Sequence, residues 1–371
     1  MAASIGVEQQ KKSLAALISC VGIGQNTLKN IEEHLHSHGC TWAEFWDGGK
    51  TLWHELSISE KQIEAIKNFL TEHTIDSYFE RLIKQDIRVV VATDMEYPPL
   101  LKETDNPPTI LFVRGRTMDW QPPVAPIAVV GTRHMTAYGK MVTEKITQEL
   151  VNSNCAIISG FMYGVDTCAH RTALEHHGNT IGVLGYGFDH CYPSSHREVF
   201  QQCLAAGMIF ISPFSPEVQP QRGNFPARNS IVAGMSAAVV VTEAALKSGT
   251  HITAGIAAEL GRPVCAVPGP INSPYAAGTK WLINQGATLV ESGREVLAEV
   301  SALHLGPAPA QSLCTASQST IVQILTTAGP STIDALQAVL PCSHAELLSE
   351  LTELELQGFI KRYADIWMVS R

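Results

Sequence analysis

From residue 126 onward, short apolar runs recur along the chain: IAVVG, CAIISG, TIGVLG, MIFIS, AAVVVTE and PVCAVPG. Each is almost continuously hydrophobic rather than alternating, and helix-like stretches separate them. Strands that are apolar on both faces belong to a parallel sheet covered by helices on both sides. Residues 126–300 are therefore predicted to form a doubly wound, mostly parallel, Rossmann-like α/β core. Two earlier runs, 87–92 (IRVVVA) and 110–113 (ILFV), also read as strands, with the Pro-rich YPPLLKETDNPP between them and the breaker WQPPVAP after them.

The pattern changes at both ends. In LAALISCVGIGQNTLKNIEEHL an apolar helix meets a tight Gly22-Ile23-Gly24 turn. A second helix follows, with Leu28, Ile31 and Leu35 on one face. Another helix is predicted over 59–70 with Ser59 as its N-cap. The turn resembles a helix-hairpin-helix, whose amides can hold a DNA phosphate, although the same turn also serves simply to pack two helices. After Val300, LHLGPAPAQSLCTASQS reads as a linker. Three helical stretches and a closing strand pair around YADIWMVS then match a small winged helix. The expected organisation is a helical domain at 1–78, the core at 79–300, a linker at 301–317 and a winged-helix-like domain at 318–371.

Composition narrows the class. No apolar run reaches the roughly 18–20 residues that span a bilayer, and the first residues lack the apolar stretch of a signal peptide. The nine cysteines are an odd number without a CxxC pair, which points to reduced thiols and a cytoplasmic location. The net charge of −9 is carried mainly by the ends: Lys+Arg against Asp+Glu is 12 to 17 over 1–124, 11 to 12 over 125–300 and 3 to 6 over 301–371. An anion site must then be local, built from a few cations and backbone N–H groups rather than from a basic surface.

In an open α/β sheet, ligands bind beyond the carboxyl ends of the strands, so the residues after each apolar run are the candidates. Gly131-Thr132-Arg133 follows the first run. It is not a G-x-G-x-x-G fingerprint, and no acidic residue closes the next strand, which disfavours a dinucleotide cofactor; no cofactor is expected. Gly131 would let a ligand approach the backbone, and Arg133 suits a phosphate. Gly160 and Gly164 open a loop into a helix whose N-terminus attracts anions. Asp166 and His170, four apart on that helix, read as a structural pair or an acid/base pair. Phe225, Arg228 and Asn229 combine an aromatic, a guanidinium and an amide, the set with which proteins bind single strands. Ser248, Gly249 and Thr250 form a hydroxyl-rich turn at a helix start, Lys280 adds a cation, and Glu243 is the one carboxylate placed to act as a base. His190 and Cys191 lack a second ligand pair at metal spacing, so no metal is expected.

These residues, in this order, resemble the motifs of the DNA-processing protein A (DprA/Smf) family. VVGTRHMTAYG is similar to its G-[ST]-R motif and SGFMYGVDTCAHRTAL to its SG-x-x-x-G-[IV]-D helix start. VLGYGFDHCYP, FPARNSIVAGMSAAVVVTEA, SGTHITA, GRPVCAVPG and AGTKWLINQGA follow in register. The resemblance implies an extended Rossmann fold and a homodimer that binds single-stranded DNA without catalysing a reaction. It further implies partners in natural transformation, namely RecA recombinase, which it loads, and single-strand-binding protein. It places Gly131, Arg133, Gly160, Phe225, Arg228, Asn229, Ser248 and Gly249 on the family's DNA-contacting stretches. Lys280 stands where the family carries Asn. Met162 and Tyr163 replace Ala and Arg, Ser230 replaces Arg, His196 replaces Asn and His251 replaces Leu. The alternatives from other classes are a nucleoside-monophosphate N-glycosidic hydrolase using Glu243, whose Pro-Gly-Gly-x-Gly-Thr phosphate loop is missing here, and a nucleotide sensor with the C-terminal domain as output.

Overall fold

The computed structural model describes residues 2–120, 125–304, 316–327, 329–340, 342–356, 359–363 and 366–369. Five helices come first: α1 (Ala2–Ser19), α2 (Gln25–His38), α3 (Trp42–Glu55), α4 (Glu60–Glu72) and α5 (Ile75–Lys84). Ser59 caps α4 as its sequence predicts, in a reciprocal capping box with Gln62. The chain then enters a large sheet through β1 (Arg88–Val91), the single turn α6 (Pro99–Lys102) and β2 (Ile110–Arg114). Alternating strands and helices follow: β3 (Ala125–Val130), α7 (Ala137–Asn152), β4 (Cys155–Ser159), α8 (Val165–Glu175), β5 (Thr180–Val183), α9 (Arg197–Ala205) and β6 (Ile209–Ser212). The second half runs α10 (Asn224–Gly234), β7 (Ala238–Val241), α11 (Thr250–Glu259), β8 (Val264–Ala266), α12 (Ala277–Asn284), β9 (Thr288–Leu289) and α13 (Gly293–His304).

The nine strands lie in the order β1-β2-β6-β5-β4-β3-β7-β8-β9. Strands β3 to β9 pair in parallel, while β2 pairs antiparallel with both β1 and β6. The continuous apolar runs have the predicted cause: β4, β5, β6 and β7 are buried at every position. The chain builds one way from β3 to β6, then returns to lay β7 against the other side of β3. That reversal is the topological switch point, where an α/β sheet leaves a crevice at its carboxyl edge.

Residues Met1–Ala302 form one compact unit and Leu303–Arg371 a second. The helical N-terminus is fastened to the sheet within the first unit. The Gln25 amide donates to the carbonyls of Ile110 (3.1 Å) and Pro213 (2.7 Å), and its oxygen accepts from Ile110 N (3.3 Å). The Gly22–Gly24 turn thus leads straight into a docked helix, and Gln62 covers the Gly22 carbonyl at 2.9 Å. This favours the packing reading of that turn. From α5, Arg81 reaches Asp189 (2.6 Å) and Glu217 (2.7 Å) on the loops after β5 and β6.

In the second unit, α14 (Ala316–Thr327), β10 (Ser331–Thr332), α15 (Ile333–Gln337), α16 (His344–Leu356), β11 (Ile360–Tyr363) and β12 (Ile366–Val369) form three helices on a three-stranded sheet ordered β10-β12-β11. Its core includes Ile321, Leu325, Leu347, Leu351 and Trp367. Most of the expected linker, 305–315, lies outside the described residues. Among the described residues no helix is long and apolar enough to cross a membrane.

Candidate nucleic-acid interface

A cleft of about 360 Å³ opens at the switch point, beyond the carboxyl ends of β3, β4 and β7. Nine of the ten candidate residues line it: Gly131, Arg133, Gly160, Phe225, Arg228, Asn229, Ser248, Gly249 and Thr250. The tenth, Lys280, is exposed on α12 and is not part of the lining. That expectation is corrected. Gly278, two residues earlier, packs so closely on the Ala244 and Ala245 carbonyls that a Cβ there would lie 2.5 Å from each. The start of α12 is therefore held against the loop after β7, while Lys280 faces outward.

The glycines act differently from the sequence reading. At Gly131 a Cβ would come within 2.6 Å of both the Glu243 carbonyl and the Val165 side chain. At Gly160 it would stand 2.6–2.8 Å from the Arg228 guanidinium. Gly164, at φ +77°, has the Thr132 backbone where a side chain would go. These glycines let protein loops close on one another, and the closure fixes Arg133. Thr132 N donates to Glu243 O at 2.7 Å, Thr132 O accepts from Val165 N at 3.2 Å, and Thr132 Oγ1 accepts from His134 N at 3.1 Å. Arg133 projects from this braced turn, exposed, and makes no ion pair among the described residues, acting on the buried Asp166 carboxylate only at longer range.

Arg228 behaves in the opposite way. It is 3% exposed, and its Nη1 donates to the carbonyls of Gly160 and, at 2.6 Å, of Val183. Nε reaches Asn229 Oδ1 at 3.2 Å. The guanidinium ties the ends of β4 and β5 together, so its Nη1 is already committed to the backbone. Burial lowers its pKa, while Asp166 pulls it back up. Burial likewise raises the Asp166 pKa against the attraction of Arg228, and Asp166 Oδ2 accepts from Met162 N at 3.2 Å. The expectation of Arg228 as a free phosphate ligand gives way to a clamp forming the cleft floor.

Phe225 is the second residue of α10, and Pro226 beside it is accommodated because proline in a helix's first turn removes no hydrogen bond there. The half-buried ring packs over Gly185, lies 5.8 Å from both the Arg133 and Arg228 guanidinium carbons, and is 5.4 Å from the Tyr192 ring. Across the cleft, Ser248 Oγ accepts from Thr250 N at 3.2 Å, just ahead of the Gly249 N-cap of α11. The N-terminal turns of α8, α10 and α11 all reach the lining, through Asp166, Phe225 and Thr250, and helix N-termini carry partial positive charge.

Sequence reasoning missed Lys247. It lines the mouth, exposed, and no ion pair involving it is found among the described residues. A lysine directly before the Ser248-Gly249 turn was the available signal. Glu243, the suggested base, is 3% exposed and accepts from Thr136 N (2.8 Å) and Thr136 Oγ1 (2.6 Å), which anchors the start of α7. His170 is fully buried. Thr180 Oγ1 gives its proton to Ile157 O, so it accepts from His170 Nδ1–H at 2.7 Å. Nε2 is then a bare acceptor, buried without a partner, and burial pushes the His170 pKa down to about 3. This is a neutral core histidine.

A larger cavity of about 990 Å³ lies away from the strand ends, between α1, α5 and β1. Its charged groups are largely matched to each other, Lys11 with Asp94 at 2.8 Å and Arg88 with Glu96 at 2.5 Å. The switch-point cleft, with its unpaired cations, is the better anion site.

Fold and site together define a Rossmann-type protein with a small cationic cleft at the sheet's switch point. The sequence pattern of the DNA recombination-mediator protein A family matches residues 88–301, and that of the DprA winged helix domain matches 306–365. The chain belongs to the DNA recombination-mediator protein A family. It is 36% identical over 316 residues to Protein Smf of Escherichia coli, spanning 82% of this chain and 83% of that one. Among solved structures, it resembles DNA processing protein A from Streptococcus pneumoniae with a TM-score of 0.63 and 30% identity, covering 79% of this chain and 96% of that one. It also resembles DNA processing protein A from Helicobacter pylori, a structure described for its single-stranded DNA binding mode, with a TM-score of 0.51, 27% identity, and coverage of 59% and 95%.

Proposed function

We propose that this protein binds single-stranded DNA in the switch-point cleft and performs no covalent chemistry. The observation carrying this reading is the pairing of two unpartnered, exposed cations, Arg133 and Lys247, with the Phe225 ring, where three helix N-termini converge. A phosphate between Arg133 and Lys247 gains charge-assisted bonds and helix-terminus N–H groups. A base beside Phe225 gains stacking. An unpaired base can lay its face beside Phe225, which a base stacked inside a duplex cannot, so single strands are preferred.

Binding is favoured over hydrolysis because Glu243 is committed to Thr136 and its carboxylate is packed against Gly139. Family membership supports a role in natural transformation and recombination, with RecA recombinase and single-strand-binding protein as partners, a homodimer as the working unit, and a cytoplasmic location. The winged-helix unit fits protein contact better than DNA. Its α16 carries Glu346, Glu350, Glu353 and Glu355 and no Lys or Arg, and such a helix cannot neutralise phosphates. The test is titration of labelled oligo-dT with wild-type and Arg133→Ala protein. The variant is expected to lose about 1–3 kcal/mol of affinity, the worth of a charge-assisted contact. Unchanged affinity with an intact fold would place the DNA elsewhere.

A further inference from the structure

The loop between β4 and α8 separates two depressions. Gly160, Met162 and Asp166 face the cleft. Tyr163, Gly164 and Thr167 face a neighbouring groove of about 530 Å³, which Lys140, Arg171 and Ser195 also line. The loop is held rigidly. Phe161 adopts a left-handed conformation at φ +57° while its ring is fully buried, 4.9 Å from Phe210 and 5.5 Å from His196. A non-glycine residue pays for that conformation only where the surroundings enforce it.

From this fixed wall Tyr163 stands out with 44% of its surface exposed. One side of its ring meets the buried His196 imidazole in a T-shaped contact at 4.4 Å, and its hydroxyl bonds Ser195 Oγ. The ring is therefore set in place, and its exposed part lines the groove. The groove's charges are unequal in availability. Lys140 lies 3.6 Å from Glu144. Arg171 is exposed and has neither an ion pair nor a hydrogen bond among the described residues. Glu175, one turn further along α8, also lines the groove, so Arg171 carries the groove's unpaired positive charge.

Resting on the single-strand reading above, we infer that the groove is a second nucleotide subsite: a base leaving the cleft stacks on Tyr163, and its phosphate pairs with Arg171. A strand longer than the cleft must cross one of its walls. This wall offers a pre-set aromatic face and an unpartnered guanidinium, the two components of sequence-tolerant single-strand binding. It also accounts for Tyr163 where the family motif carries Arg. The site trades a charge for a stacking surface and keeps a cation on the same groove, at Arg171.

The experiment uses the full chain and a ladder of labelled oligo-dT from about 4 to about 16 nucleotides, the range of single-strand site sizes. Tyr163→Ala is expected to weaken binding of the longer oligomers about tenfold while leaving the shortest nearly unchanged. Tyr163→Phe, which keeps the ring and loses the Ser195 bond, is expected to bind like wild type. Arg171→Gln should reduce the slope of log affinity against log salt by about 0.7, one phosphate's worth on a single strand. Full length dependence in Tyr163→Ala together with an unchanged salt slope in Arg171→Gln would overturn the subsite and leave the cleft reading standing. Failure of the wild type to bind any oligomer would remove both.

Discussion

The two arginines of the site make opposite predictions, and the contrast tests whether its geometry has been read correctly. Arg228 is buried, and its Nη1 bonds two carbonyls belonging to different strand ends. Arg228→Ala removes two charge-assisted bonds of about 1.5–3 kcal/mol each and leaves buried carbonyls without donors. It also strands Asp166 without the cation that favours its charged form. Protonation of Asp166 relieves part of that cost, so the net loss is about 3–5 kcal/mol, the usual range for breaking a buried pair. For a unit of this size, roughly 2 °C per kcal/mol applies, which gives a melting temperature lower by about 6–10 °C. Arg133→Ala removes an exposed side chain with no ion pair, and surface changes of that kind stay within about 0.5 kcal/mol. The assay is thermal unfolding of both variants alongside oligo-dT titration. Arg133→Ala should melt like wild type and bind poorly. Arg228→Ala should melt early, with its binding defect following its loss of structure. A stable Arg228→Ala protein that has lost affinity would make Arg228 a DNA ligand and refute the clamp.

Gly160→Ala should repeat the Arg228 phenotype in milder form. Its methyl group would displace the guanidinium, at a cost of about 1–3 kcal/mol in thermal or denaturant unfolding; wild-type stability would show that the packing is looser than described. Acid should destabilise the protein through His170. Its folded pKa, pushed down to about 3 by burial, lies below the ordinary 6.5, so the unfolded chain takes up the proton first. Stability is then complete above about pH 6.5 and falls as pH drops toward about 3, by about 1.4 kcal/mol at pH 5.5. Asp166, whose pKa is raised, opposes this: its penalty applies at high pH and eases as pH falls toward its ordinary range. Comparing unfolding of wild type and His170→Gln at pH 7.5 and 5.5 isolates the histidine contribution, and an equal pH dependence in both would contradict it. Glu243→Gln should lower stability by weakening the hold on Thr136. Neither it nor wild type should release free base from nucleoside monophosphates, whereas base release by wild type alone would revive the hydrolase.

The parallel core was legible because its strands are buried on both faces, which writes them as continuous apolar runs. The positions after those runs were then the right place to look, and nine of ten candidates met in one cleft. Roles were harder to read than locations. A charged residue in a sequence reads as a surface residue. Nothing local to Arg228 reveals that its partners are carbonyls from strands some 45 and 68 positions away. The same holds for Gly160, whose missing side chain makes room for that arginine rather than for a ligand. The choice of Lys280 over Lys247 depended on the outward-facing side of α12, which spacing alone does not determine. The antiparallel addition of β1 and β2 beside β6 follows from which sheet edge remained open, a property of the assembled fold.

The central claim is that a strand without a complement enters the cleft and is held there by Arg133 and Lys247. The most direct measurement is fluorescence anisotropy of labelled oligo-dT against the matching duplex at two or more salt concentrations. Selective binding of the single strand is predicted, with a slope of log affinity against log salt of about −1.4 for the two cleft cations and about −2.1 if Arg171 adds a third. Equal affinity for single strand and duplex, or no binding even at low salt, would contradict the account.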